Sequence, residues 1–160
     1  MAIYIPGIRC SLCGRVIPAG DDAVMFPPFV SNQADPLYVF NDGVFHVACF
    51  GGHALAEAAQ ARYEEHRERT KPGNRSCFVC GEQITNPDDY LAFGHLVDTP
   101  KHPLHSLNYS QFHRSCLGSW SALSDAIRNL EALDQSGTWK GNALKRLIKE
   151  LLRYTPPPAN

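Results

Sequence analysis

All six cysteines of the 160-residue chain fall into two copies of one pattern. Cys10-x2-Cys13 is followed by His46-x2-Cys49, and Cys77-x2-Cys80 by His113-x2-Cys116, 67 residues further on. In both copies 32 residues separate the second Cys from the His. Three thiolates and an imidazole are a donor set for Zn²⁺, which takes four N/S ligands in a tetrahedron. The expectation is two zinc ions per chain, one held by Cys10, Cys13, His46 and Cys49, the other by Cys77, Cys80, His113 and Cys116. Three disulfides would leave the two matched histidines unexplained and would need an oxidising compartment.

The repeat extends past the ligands. At the same offset Gly14 meets Gly81, Ile17 meets Ile84, and Asp21-Asp22 meets Asp88-Asp89. Phe26 meets Phe93, Asn41 meets Asn108, Phe45 meets Phe112, and Ala59 meets Ala126. Shared glycines, apolar positions and ligands together indicate one duplicated structural unit. Each copy is short enough that a hydrophobic core alone is marginal, so metal is expected to act as a staple.

Elements must bring these ligands together. Each Cys-x2-Cys-Gly reads as a knuckle, two sulfurs gripping one ion from a tight turn in which Gly tolerates positive φ. Ala23–Val30 and Tyr90–Val97 read as strands. Val39–Phe40 and Val44–Phe45, around Asn41-Asp42-Gly43, read as a hairpin leading to the His. A His and a Cys three apart sit on one face of a first helical turn, so helices should begin at the second ligand pair. In copy 1 the helix is expected to fade in the charged stretch 64–71, with Pro72-Gly73-Asn74 as linker. In copy 2 Trp120, Leu123, Ile127 and Leu130 recur at helical spacing up to Gly137. A last amphipathic helix follows Asn142, its apolar stripe Leu144, Leu147, Ile148, Leu151 and Leu152, with Pro156-Pro157-Pro158 as its stop. The domain expectation is residues 1–71 and 72–135 as two zinc-finger units, then 136–160 as helix and Pro-rich tail.

Knuckle, hairpin, then a helix carrying the last two ligands is the order of a treble clef. The fold class expected is a small zinc-stabilised α+β protein of two tandem treble-clef-like units plus a C-terminal helix. Cys-x2-Cys, a long spacer and Phe-His-x2-Cys resemble the zinc finger of poly(ADP-ribose) polymerases, and are also similar to the first half of a LIM domain. About forty residues per finger carry the likeness. It implies binding to DNA breaks through basic and apolar groups on the finger loops. The chain departs from that pattern: only Arg15 is basic between Cys13 and His46, and only Lys101 between Cys80 and His113.

Charge bears on the partner. The formal total is -1, but residues 76–135 carry -4 and residues 136–160 carry +4. Each zinc with three thiolates adds about one further negative charge. The fingers therefore lack the basic footprint of nucleic-acid binding. The favoured expectation is a non-enzymatic protein-protein interaction module: an adaptor, a regulator or an inhibitor of a partner enzyme. The alternative is a DNA- or RNA-binding protein gripping through Arg67, Arg69, Lys71, Arg75 and the last helix. Lys145, Arg146, Lys149 and Arg153 are the candidate partner-binding residues. The third reading is an HNH-like treble-clef nuclease. A catalytic zinc keeps one position open, whereas four protein ligands fill each of these sites. No His-x-Glu of the deaminase type and no Gly-rich phosphate loop is present.

His53 is expected on the helix surface or beside the first site rather than as a ligand. His95, His102 and His105 are expected to be loop histidines and the Asp pairs to be turn residues. No apolar run is long enough to span a bilayer, and residues 1–10 do not read as a signal peptide. An intracellular location, cytoplasmic or nuclear, is the corresponding expectation.

Overall fold

The computed structural model describes residues 7–155. The chain divides into two compact units. Unit 1 is Met1–Val30 with Asp35–Glu65, and unit 2 is Ser31–Ala34 with His66–Asn160. The overall class is small mixed α/β: two short antiparallel strand pairs, helices, and two Cys/His clusters.

In unit 1, β1 (Ala23–Met25) pairs with β2 (Val44–His46), Ala23 opposite His46. A single-turn helix α1 (Val47–Gly51) starts at His46, and α2 (Ala56–Thr70) follows, crossing into the second unit after Glu65. In unit 2, β3 (Tyr90–Ala92) pairs with β4 (Gln111–His113), Tyr90 opposite His113. Then come the single turn α3 (Arg114–Leu117), α4 (Leu123–Gln135) and α5 (Ala143–Leu151).

The 67-residue offset holds down to single hydrogen bonds. The knuckle is closed by Arg9 bridging Val16 in unit 1 and Ser76 bridging Gln83 in unit 2. Gly14 N–H donates to Cys10 O and Gly81 N–H to Cys77 O, both at 2.8 Å. Both glycines have positive φ, 71° and 77°, as the turn requires. Ser11 N–H donates to Val44 O, and Phe78 N–H to Gln111 O, tying each knuckle to the strand that carries the His.

The shared Asn has a clear role. Asn41 Oδ1 accepts from Phe29 N and Val30 N, and its Nδ2 donates to Val30 O. Asn108 does the same with Leu96 N, Val97 N and Val97 O. One side chain thus satisfies three backbone groups of a loop that has no ladder of its own. The next residue is left-handed in both units, Asp42 at φ 51° and Tyr109 at φ 58°.

Three expectations are corrected. Val39–Phe40 is not a hairpin strand: Pro36–Phe40 forms a 3-10 helix, with Asp35 capping it through Leu37 N at 2.8 Å. The turn signal at Asn41-Asp42-Gly43 is real, but β2 pairs with the distant Ala23–Met25. The Pro at the first helical position and the Asp before it outweigh the β-formers Tyr38-Val39-Phe40. The first strand is also shorter than the apolar run, because Pro27 and Pro28 have no N–H to donate. Finally, α2 does not fade at Glu64 but continues to Thr70, where Pro72 bars the next turn.

Two cores form. In unit 1, Phe26, Phe40, Phe45 and Phe50 interlock with Tyr63 at ring spacings of 5.2–6.3 Å. In unit 2, Phe93, Phe112 and the α4 residues Leu123, Ile127 and Leu130 meet Leu144, Ile148 and Leu151 of α5. Of the last helix's stripe, Leu144, Ile148 and Leu151 are buried within their own unit, Leu147 is partly buried and Leu152 is exposed, and fully burying each such side chain stabilises by about 1.5–3 kcal/mol. Asn142 precedes α5 as its cap residue, and Gly137 at φ 74° closes α4. The Pro156–Pro158 stop lies outside the described residues.

Candidate metal centres

Strand, turn and knuckle bring each ligand set to one point. Cys10, Cys13, His46 and Cys49 form one cluster and Cys77, Cys80, His113 and Cys116 the other, the ligand atoms of each lying within 4.8 Å of one another. His46 ends β2 and His113 ends β4, and in each unit the fourth ligand sits one helical turn later. All six cysteines are unbridged thiols.

The spacing fits a tetrahedral ion. Bonds of about 2.3 Å to sulfur and 2.0–2.1 Å to nitrogen place neighbouring S and N ligands about 3.5 Å apart. His46 Nδ1 lies 3.5 Å from Cys13 Sγ and 3.7 Å from Cys49 Sγ. His113 Nδ1 lies 3.4 Å from Cys80 Sγ and 3.9 Å from Cys116 Sγ. His46 Nε2 lies 3.2 Å from Val16 O, so with the proton there Nδ1 is the metal-facing nitrogen. Two Cys3His clusters are thus positioned to bind two metal ions, with the donor set that zinc takes.

The protein also prepares the thiolates. Burial raises the Cys77 thiol, but N–H groups of Cys80, His113 and Val79 outweigh it and bring it to about 6. His113 N–H donates to Cys77 Sγ at 3.3 Å. Cys10 is lowered by the equivalent N–H groups of Cys13, His46 and Leu12, again against burial. Cys13 is brought to about 6 by the Arg15 backbone N–H and then by the Arg15 side chain. The helix cysteines go the other way. Burial, then hydrogen bonding to Cys80, pushes Cys116 up to about 11, and Cys49 is raised by its hydrogen bond to Cys13 and by burial. Cys10, Cys13 and Cys77 are therefore the ready thiolates, and a metal entering each site must displace a proton from the helix Cys.

The remaining histidines stay out of these clusters. His53 Nδ1 accepts from Leu55 N at 3.1 Å and its ring packs edge-on against Phe40. Its counterpart Trp120 packs on Phe112 at 5.0 Å. His95 meets Asp98 at 3.0 Å, and His102 accepts from Leu104 N. Among the described residues, His95, His102 and His105 join no metal cluster. Asp89, part of a predicted turn pair, does more than turn the chain: it accepts from Ser115 N and Ser115 Oγ at 2.8 and 2.9 Å. It thereby holds the start of the ligand-bearing turn α3, a role the spacing alone did not signal.

Several of the predicted cationic residues have acidic neighbours. Lys145, Arg146, Lys149 and Arg153 are all exposed. Arg153 pairs with Glu150 at 2.8 Å, and Lys145 and Lys149 line a cleft with Glu131 and Asp134. In the linker Lys71 pairs with Glu68, and the Arg75 guanidinium lies over the Tyr90 ring at 4.5 Å. Among the described residues no helix is long and apolar enough to cross a membrane. No known family model, curated protein or solved structure matches the chain.

Proposed function

We propose that this chain is a non-enzymatic protein-binding module built on two treble-clef units, with zinc as a structural ion in each. The observation that carries the reading is the closed ligand set: four protein donors per site leave no position for water or substrate. The order of knuckle, strand pair and ligand-bearing helical turn in both units supports the treble-clef description and its likeness to the finger of poly(ADP-ribose) polymerases. Exposed Val16, Val39, Val47, Phe78 and Leu152 supply apolar surface of the kind protein interfaces use.

The exposed Lys145, Arg146 and Lys149 favour one second reading, attachment to nucleic acid. Against it stand the acidic Glu131 and Asp134 beside them and the acidic finger spacers. Phosphate contacts dominate nucleic-acid affinity, so these carboxylates oppose it. The test is a binding titration on blunt, nicked and single-stranded DNA near physiological salt. The module reading expects binding no tighter than tens of micromolar. Submicromolar affinity that is lost on Lys145→Glu with Arg146→Glu would replace it with the second reading.

A further inference from the structure

Because the two sites share the knuckle, strand-tie and Asn-clamp hydrogen bonds at one fixed offset, their surroundings form an internal control. The knuckle of site 1 is held by two cations. Arg9 Nη1 donates to Gly14 O at 3.0 Å, and Arg15, two residues past Cys13, is tied to the cluster by Cys10 N–H donating to its carbonyl at 2.9 Å, as Cys77 N–H does to Glu82 O at 2.8 Å. Among the described residues no carboxylate pairs with either arginine. At the matching positions site 2 has Ser76 and Glu82. Of the cations flanking site 2, Arg114 is engaged by Glu150, which also holds Arg153, and Arg75 lies over the Tyr90 ring. Asp22 and Asp89 occupy equivalent positions and carry the same charge, although only Asp89 is held by Ser115. The outer ligands are alike in access as well, since Cys13 and Cys80 are both exposed.

We propose that the two metal sites differ in function: site 1 is a resident site locked by Arg9 and Arg15, and site 2 is a labile site that exchanges its metal first. A zinc bound by three thiolates and a neutral imidazole carries a net charge of about -1, created as thiol protons leave. Cations beside the cluster stabilise that state, and a carboxylate destabilises it. Outer contacts of this kind change metal affinity by about 10–100-fold. Since these groups are solvent-exposed, added salt narrows the difference.

The experiment starts from full-length protein carrying two zinc ions by native mass spectrometry. It is challenged with EDTA, and maleimide labelling with peptide mapping identifies which cysteines become free. The account expects Cys77, Cys80 and Cys116 to be labelled at least about tenfold faster than Cys10, Cys13 and Cys49. Glu82→Arg should slow release from site 2, and Arg15→Glu should speed release from site 1, each moving its own site alone. Release from both sites within twofold of each other, or an order unchanged by both substitutions, overturns the proposal. The Glu82→Arg arm keeps the test decisive if Arg15→Glu compromises folding, and because the starting zinc count is two, failure here leaves the two-site assignment standing.

Discussion

Unit 1 and unit 2 share a scaffold but support it differently. Unit 1 closes on a cluster of phenylalanines packed directly behind its ligands, with the start of α2 laid over them through Ala59 and Tyr63. Unit 2 replaces Phe40 and Phe50 with Leu107 and Leu117, and its α4, the counterpart of α2 at the 67-residue offset, packs against an added helix, α5. Gly43 illustrates the divergence: a Cβ there would run into the Phe45 ring. Unit 2 has Ser110 at that place, and Phe112 packs 4.8 Å from Phe93 and 5.0 Å from Trp120. What both retain marks what the metal site demands: the knuckle Gly, the Asn clamp, and the Phe before the His. What differs marks how each unit makes up its core.

The comparison can be broken most forcefully by taking the metal away. Metal-binding energy in such small units is folding energy, on the order of 10 kcal/mol. Chelation should therefore abolish amide protection throughout unit 1, whereas α4 and α5 of unit 2 keep part of theirs. Hydrogen exchange read by mass spectrometry checks this. Equal protection of both units after chelation would refute the view that unit 2 has a second source of stability.

A smaller and more symmetric effect is expected at the clamp. Asn41→Ala and Asn108→Ala each remove a side chain that serves two N–H groups and one C=O. Each should destabilise its own unit by about 1–3 kcal/mol, since partly buried backbone groups lose their partners. Denaturation followed separately in the two units measures it, and a cost in one unit only would show that the repeat is not energetic.

The smallest difference concerns the Asp pairs. Hydrogen bonds from the Ser115 backbone N–H and hydroxyl hold the Asp89 carboxyl below its usual range. Its stabilising contribution is present above the unfolded value of about 3.9 and is lost as pH falls through the depressed folded value. Unit 1 has Asp22 and Ala48 at these places, and no hydrogen bond joins them among the described residues. Asp89→Asn should therefore loosen the start of α3 at neutral pH, while Asp22→Asn leaves α1 unchanged. Amide exchange at Ser115 and Ala48 distinguishes them.

Much of this was legible in the chain because the ligands obey a fixed spacing. The Cys-x2-Cys and His-x2-Cys pairs announced both clusters, and the gapless offset announced the repeat. The stripe of α5 announced a buried face, which unit 2 supplies. What was hidden was non-local. Tyr38-Val39-Phe40 carries strand formers, yet Asp35 and Pro36 cap a 3-10 turn there, and the true partner of β2 lies about twenty residues upstream. The Asn41 and Asn108 identities were visible without their reason, because a side chain that binds backbone twelve residues earlier leaves no periodic signal. The Asp89–Ser115 bond spans 26 positions and was hidden for the same cause.

The central claim is that each unit closes around one metal ion. Native mass spectrometry of protein purified without added metal, paired with elemental analysis, tests it most directly. The account predicts two zinc ions per chain, with all six thiols becoming alkylatable only after chelation. A chain that binds fewer than two ions when zinc is supplied, or whose Cys10, Cys13, Cys77 or Cys80 is found in a disulfide, would contradict it.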